Sequence, residues 1–277
     1  MDAGGNAQRG TPGTIELSVV APAHNEEENI AELVRQIEGA LLPTGIPFEA
    51  VIVDDGSTDR TREVLVAAMQ DRPWLRCVAM METPPGRGHG QSAAFHAGFR
   101  AARGGLIAVL DADLQNDPGE ILEMVARLRE TGAGLVQGDR SHARRDNFVR
   151  RAGSVVGRAF RRWLLGDVIR DTGCSLRVMK RELALELPLE FRGMHRFIPI
   201  TAMHLGYSVV EVRVSHRPRI AGKTKYGMGI LPRAIPGLID LFAVRYMRSR
   251  RRPTVGEEVS HLSAGPADRT PGAKGGA

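Results

Sequence analysis

The chain has 277 residues, 42% hydrophobic and 25% charged, with a net charge of +6 and a pI near 9.9. That balance belongs to a globular protein with a sizeable core, in one large α/β domain or two small ones, and its excess cations favour an anionic partner: nucleic acid, an acidic membrane face or a phosphorylated substrate. Two lone cysteines, Cys77 and Cys174, exclude a disulfide framework or a cysteine-rich zinc site and fit a reducing cytoplasm.

Residues 1–14 are Gly-rich without an apolar stretch, unlike a secretory signal. The next segment, Glu16–Ala21, reads as a strand ended by Pro22. Asn25 is placed to cap the helix that follows, with Glu26, Glu27 and Glu28 in its positive first turn. Ile30, Leu33, Val34, Ile37 and Leu41 give that helix one apolar face. Phe48–Val53 is a second strand, running into Asp54-Asp55-Gly56-Ser57-Thr58-Asp59. A helix with Val64, Leu65, Ala68 and Met69 inward comes next, then a strand at Leu75–Met80, a Gly/Pro-rich loop, and an Ala-rich helix at Gln91–Ala102. Strands alternating with helices at this spacing predict βαβ units and a mostly parallel sheet. Right-handed crossovers would bring His24–Glu26, Asp54–Asp59 and Asp111–Gln115 to one edge.

The stretch 110–119, Leu-Asp-Ala-Asp-Leu-Gln-Asn-Asp-Pro-Gly, organises the rest. Leu106–Leu110 reads as a short buried strand that delivers Asp111, Asp113 and Gln115 at its carboxyl end, where open α/β sheets bind ligands. Asp117, Pro118 and Glu120 then form a helix start with Asp117 at the N-cap, and Ile121, Leu122, Val125 and Leu128 form the buried stripe. Alternating carboxylates with an amide oxygen suit a hard divalent cation that keeps positions open for phosphate oxygens. The plain alternative, a polar turn before a capped helix, needs only Asp117. After a strand at Gly134–Gly138, eight arginines fall between Arg140 and Arg162, interleaved with apolar residues from Phe148 to Leu165, as in a basic amphipathic helix. Ser208–Val214 is another strand, and a helix at about 230–250 ends in a basic run. From Pro253 onward composition predicts disorder. No stretch reaches the ~18–20 apolar residues of a membrane span, so the chain is expected not to cross one.

No Walker A sequence is present, and Gly86–Gly90 is only a flexible loop, so transfer from a nucleotide sugar fits these residues better than transfer from ATP. Pro22-Ala23-His24-Asn25-Glu26, Val53–Asp59 and Asp111-Ala112-Asp113-Leu114-Gln115 together resemble the inverting GT-A glycosyltransferases. Gly90-Gln91-Ser92-Ala93-Ala94, Asp171-Thr172-Gly173-Cys174 and Arg219–Tyr226 narrow the resemblance to the polyprenyl-phosphate sugar synthase branch. It runs from about Ile15 to Met247. It implies an α/β GT-A fold, a Rossmann-like mostly parallel sheet flanked by helices, as a domain at 15–227, with a basic amphipathic helix at 228–252 and disordered ends at 1–14 and 253–277.

By the same resemblance Pro22, His24, Glu26, Asp54 and Asp55 would line the base and ribose side of the donor, with the aspartate that reads the base left open. Asp111, Asp113 and Gln115 would carry Mg²⁺ or Mn²⁺ on the diphosphate. Arg140, Arg150 and Ser154, with Arg219 and Lys225, would hold donor and acceptor phosphates. A lipid monophosphate, with its second pKa near ~6, is largely dianionic at neutral pH and attacks without a protein base. A hydroxyl acceptor would need one, and Asp171 is the candidate, although it could equally pair with an arginine. The expected partners are therefore a GDP- or UDP-linked sugar, a polyprenyl phosphate and the cytoplasmic membrane face, met peripherally through 148–165 and 230–252, with no nucleic acid. Two alternatives stay open: a glycosyltransferase with a soluble or polysaccharide hydroxyl acceptor, and a non-catalytic nucleotide-sugar or nucleic-acid binder.

Overall fold

A computed structural model of the chain describes residues 14–84, 86–142, 148–217 and 231–252, excluding the side chains of 148–156 and 231–235. Leu17–Ala23 (β1), Phe48–Asp54 (β2), Leu75–Ala79 (β3), Leu106–Val109 (β4), Leu135–Asp139 (β5), Arg177–Lys180 (β6) and Val209–Arg213 (β7) form one sheet in the order β3-β2-β1-β4-β6-β5-β7. Only β6 runs antiparallel to its neighbours. The mostly parallel α/β sheet is therefore the expected one, and the carboxyl ends of β1, β2 and β4 share an edge as the crossovers require.

The strands are apolar on both faces because helices cover both. On one side Val19, Ala21, Ala50, Ile52, Ala108 and Leu110 pack under Glu27–Leu41 (α1), Thr61–Met69 (α2) and Glu120–Thr131 (α4). On the other, Val20, Val51, Val53, Ile107 and Val109 meet Gln91–Ala101 (α3), Phe148–Leu165 (α5), Arg181–Glu186 (α6), Ile198–Leu205 (α7) and Leu231–Arg250 (α8). The helical stripes of α1 and α4 are buried as periodicity predicts.

Three local expectations are corrected. β1 runs through Pro22 to Ala23, since its neighbours on both sides are strands and the ladder tolerates the missing donor at its end. Asn25 does not cap α1. Its backbone is left-handed (φ 53°) and its side-chain oxygen accepts from the Thr58 amide at 2.7 Å, tying the β1 and β2 ends together, while Glu26 occupies the cap position. Asp117 accepts from the Gly119 amide at 2.9 Å in a turn one step ahead of α4, whose cap position is Gly119. β6 was not anticipated, although Leu176 and Val178 alternate across the sheet with Arg177 and Met179.

The opposite edge of the sheet is held by a buried carboxylate. Glu49 accepts from the Ser18 hydroxyl (2.7 Å), the Arg103 amide (2.6 Å) and Arg76 (2.7 Å). Burial pushes its pKa up, but these bonds more than reverse that and leave it below the ordinary carboxylate value. A depressed native pKa contributes stability above the unfolded value that is lost as pH falls through the native one. Glu49→Gln should therefore cost about 2 kcal/mol in urea unfolding at pH 7, with the deficit shrinking below about pH 4. A cost independent of pH would contradict this.

Candidate active site

The carboxyl edge gathers four segments around Asp111. Its carboxylate accepts from Gln91 Nε2, in the first turn of α3, at 2.7 Å. It also takes a hydrogen bond from Ser175, whose hydroxyl accepts from Asn116 Nδ2 at 2.8 Å. Burial, and then the charge of Asp113, raise the Asp111 pKa to about 6, against that hydrogen bond and the positive charges of Arg177 and Arg140. The next turn is built under strain: buried Leu114 has φ 63°, a conformation that costs an ordinary side chain about 1–2 kcal/mol. That turn lets Asp113 Oδ1 accept from the Gln115 amide at 3.2 Å. The Gln115 side-chain nitrogen reaches the Arg217 carbonyl at 3.5 Å.

β6 enters this edge from the other direction, and its first residue, Arg177, is a guanidinium only 3% exposed. It donates to the backbone carbonyls of Cys174 and His195, and burial lowers its pKa to about 10. His195 is tied back to α3: its amide donates to Ser92 Oγ at 3.1 Å, and the same hydroxyl shares a hydrogen bond of 2.8 Å with its Nδ1. Burial drives the His195 pKa down to about 3, so the ring is neutral near pH 7 and acts as a polar clamp.

The neighbouring strand ends are equally engaged. Asp54 accepts from the Ser57 amide (3.0 Å) and Arg62 Nε (2.6 Å). Asp55 accepts from the amides of His89 (2.8 Å) and Gly90 (2.7 Å), and its carbonyl takes His24 Nδ1–H at 2.7 Å. Gly88 lies so close that a Cβ there would sit 2.5 Å from Asp55 Oδ2, and its φ of +60° disfavours one in any case. Asp55 thus fixes the Gly-rich loop that begins α3. Glu26 accepts from Asn29 Nδ2 at 2.7 Å. Pro22 lies in β1, beside Val53 of β2. Across the edge Arg140, at the end of β5, holds Asp171 through Nε (2.9 Å), Nη2 (3.4 Å) and its own amide (3.2 Å). Arg150 and Ser154 lie on α5, with side chains outside the description. Arg219 and Lys225 lie outside the described residues altogether.

The structure therefore brings Asp111, Asp113, Gln115, Asp54, Asp55, His24, Glu26, Arg140 and Asp171 to one edge of the sheet. Gln91, Ser92, Asn116, Ser175, Arg177 and His195 had no assigned role in the sequence. The Gly90-Gln91-Ser92 start of α3 was a usable signal: a helix beginning on Gly, with two polar side chains in its first turn, faces the strand ends. Among the described residues no three His, Cys, Asp or Glu side chains stand as a metal cluster. The Asp111–Asp113 pair nevertheless suits a hard divalent cation, because a crowded acid with a raised pKa is the group a cation would favour in ionised form.

Residues 18–187 match the model of glycosyl transferase family 2, and the chain belongs to that family. It is 40% identical over 210 residues to an undecaprenyl-phosphate 4-deoxy-4-formamido-L-arabinose transferase of Pseudomonas aeruginosa, covering 76% of this chain and 60% of that protein. The chain thus spans about three-fifths of the length of that relative. It is 34% identical over 252 residues to a dodecaprenyl-phosphate galacturonate synthase of Rhizobium johnstonii, covering 87% and 70%. A solved glucosyl-3-phosphoglycerate synthase from Mycobacterium tuberculosis, crystallised with Mn²⁺, UDP and glucosyl-3-phosphoglycerate, superposes with a TM-score of 0.61 at 23% identity over 83% of this chain and 79% of that one. The GT-A fold expected from the sequence is the fold observed.

The raised Asp111 pKa has a measurable sign. The metal-free native state binds this proton more tightly than the unfolded chain, so stability falls as pH rises from about 4 through about 6. Asp111→Asn removes that penalty. It should stabilise the metal-free protein by about 2 kcal/mol at pH 7.5 and little at pH 4, taking ~1.4 kcal/mol per pKa unit and discounting for partial exposure. A less stable variant at pH 7.5 would contradict the assignment.

Proposed function

We propose that the chain transfers a sugar, with inversion, from a nucleotide-diphosphate sugar to a polyprenyl phosphate at the cytoplasmic membrane face. The observation that carries this reading is the pairing of two strand ends at one edge: the Asp111–Asp113 acids after β4, and Arg140 bound to Asp171 after β5. Family membership and the two polyprenyl-phosphate relatives support the donor and acceptor classes. Asp111 and Asp113, with Gln115, would hold Mg²⁺ or Mn²⁺. When bound, the metal would supply positive charge to the departing nucleotide diphosphate.

The chain's own residues do the remaining work. Gln91 and Ser175 fix the Asp111 carboxylate, so no reorganisation is needed when the donor arrives. Asp54 and Asp55, engaged by Arg62 and by the His89 and Gly90 amides, frame the nucleotide side together with Pro22, His24 and Glu26. Arg140, Arg150, Ser154, Arg219 and Lys225 would gather donor and acceptor phosphates. A dianionic phosphate needs alignment and charge neutralisation but no base. The bidentate hold of Arg140 on Asp171 fits that chemistry, since a carboxylate so paired is a weak proton acceptor. The second reading, a hydroxyl acceptor with Asp171 as base, draws on the position of Asp171 at the same edge.

Nucleotide release from UDP- and GDP-sugars with Mn²⁺, with and without a short polyprenyl phosphate, tests the reading. Lipid-dependent release should fall about 100-fold or more in Asp113→Asn. Asp171→Asn should raise the KM for the acceptor about tenfold through the loosened Arg140, with a smaller effect on kcat. A kcat loss near ~10³-fold in that variant, or release indifferent to lipid, would favour the hydroxyl acceptor instead.

A further inference from the structure

The chain leaving β7 crosses the turn that carries the β4 acids and is stitched down as it goes. The Val214 amide donates to the Asp139 carbonyl at 3.1 Å, the Ser215 amide to Glu120 Oε1 at 2.7 Å, and the Arg217 amide to the Gln115 carbonyl at 3.0 Å. Gln115 answers with its side chain, whose Nε2 donates to the Arg217 carbonyl at 3.5 Å. The Arg217 guanidinium then joins two elements. Its Nη2 pairs with Asp117, and its Nη1 donates to Gln36 Oε1 of α1 at 3.2 Å. Gln36 is itself held, with its Nε2 donating to Glu32 Oε1 at 2.7 Å.

Two features of the β4 turn call for such a hold. Leu114 sits in the left-handed region (φ 63°), which an ordinary side chain keeps only where its surroundings over-determine it. Residues 111–120 also carry four acids, Asp111, Asp113, Asp117 and Glu120, with no lysine or arginine among them. Like charges so close in the chain push the turn open. Arg217 opposes them with a permanent cation, and its planar fork serves Asp117 and Gln36 together.

The geometry points to Arg217 as a positioning residue: it pins the strap 214–217 to Asp117 and to α1, and the strap holds the β4 turn in the shape that presents Asp113 and Gln115. Its side chain bonds to Asp117 and Gln36, so it acts through the turn and not on the acids that would meet a cation. The inference rests on the cation reading above and adds the residue that keeps the turn ready. Arg217 leaves 40% of its side chain exposed, and an ion pair so placed contributes little to global stability. A loss of the hold should therefore be felt locally, at the turn, before the fold as a whole weakens.

Hydrogen exchange of the metal-free protein reads the turn without any turnover. In Arg217→Gln, peptides spanning 111–117 should exchange about fivefold faster, while β1 and the urea midpoint stay as in wild type. By calorimetry, the gain in UDP or GDP affinity on adding Mn²⁺ should fall about fivefold in this variant, with affinity in the absence of metal unchanged. Arg217→Lys keeps the charge but cannot serve both partners, so it should recover only part of the loss. Asp117→Asn still accepts from the Gly119 amide, and combined with Arg217→Gln it should add nothing further. Exchange at 111–117 unchanged from wild type, or fully additive losses in the double variant, would overturn the inference. So would an equal loss of nucleotide affinity without Mn²⁺, which would put Arg217 on the nucleotide itself. Wild-type nucleotide binding that ignores Mn²⁺ would instead defeat the cation reading, and the hold on the turn would stand or fall on the exchange rates.

Discussion

Everything at the carboxyl edge turns on the Asp111 carboxylate. Left to itself, a crowded acid at a strand end would protonate or turn away, and burial together with Asp113 does press its pKa up to about 6. The Ser175 hydroxyl, from the turn before β6, and the charges of Arg177 and Arg140 resist this, while Gln91, from the start of α3, holds the same carboxylate. The site is therefore assembled by long-range ties, and the strand end alone would not produce it. The cost of holding Asp111 ionised is the kind of local instability expected of a group kept ready for a cation.

The same economy recurs around the edge. Ser92 and His195 clamp the start of α3 to the segment that carries Arg177. Asp55 clamps the loop before α3 through two amides, and Gly88 must be glycine for that loop to come so close. Each of these acids and polar groups is spent on positioning backbone. The acids of the β4 turn are the groups to which the proposed reading gives the diphosphate.

Much of this was legible in the sequence. Apolar runs bounded by Pro, Gly and acids marked β1, β2 and β4, and helical spacing marked α1, α2 and α4, because both signals depend on local periodicity alone. The convergence of His24–Glu26, Asp54–Asp59 and Asp111–Gln115 followed from crossover handedness. The antiparallel β6 was not legible, since four residues with a buried arginine at the first position do not read as a core strand. Asn25 was misread for a related reason: its oxygen serves the β2 end, 33 residues on in the sequence, and no local rule sees such a partner. The His195 clamp was hidden in the same way, since its partner Ser92 lies 103 residues away.

The claim that the β4 acids receive a cation, and through it a nucleotide diphosphate, is tested most directly by calorimetric binding of UDP and GDP with and without Mn²⁺. Wild type should bind one of the two nucleotides about tenfold or more tightly with Mn²⁺ than without it, and Asp113→Asn should lose that enhancement while still folding. Nucleotide affinity that ignores the metal, or an enhancement that survives in Asp113→Asn, would contradict the account.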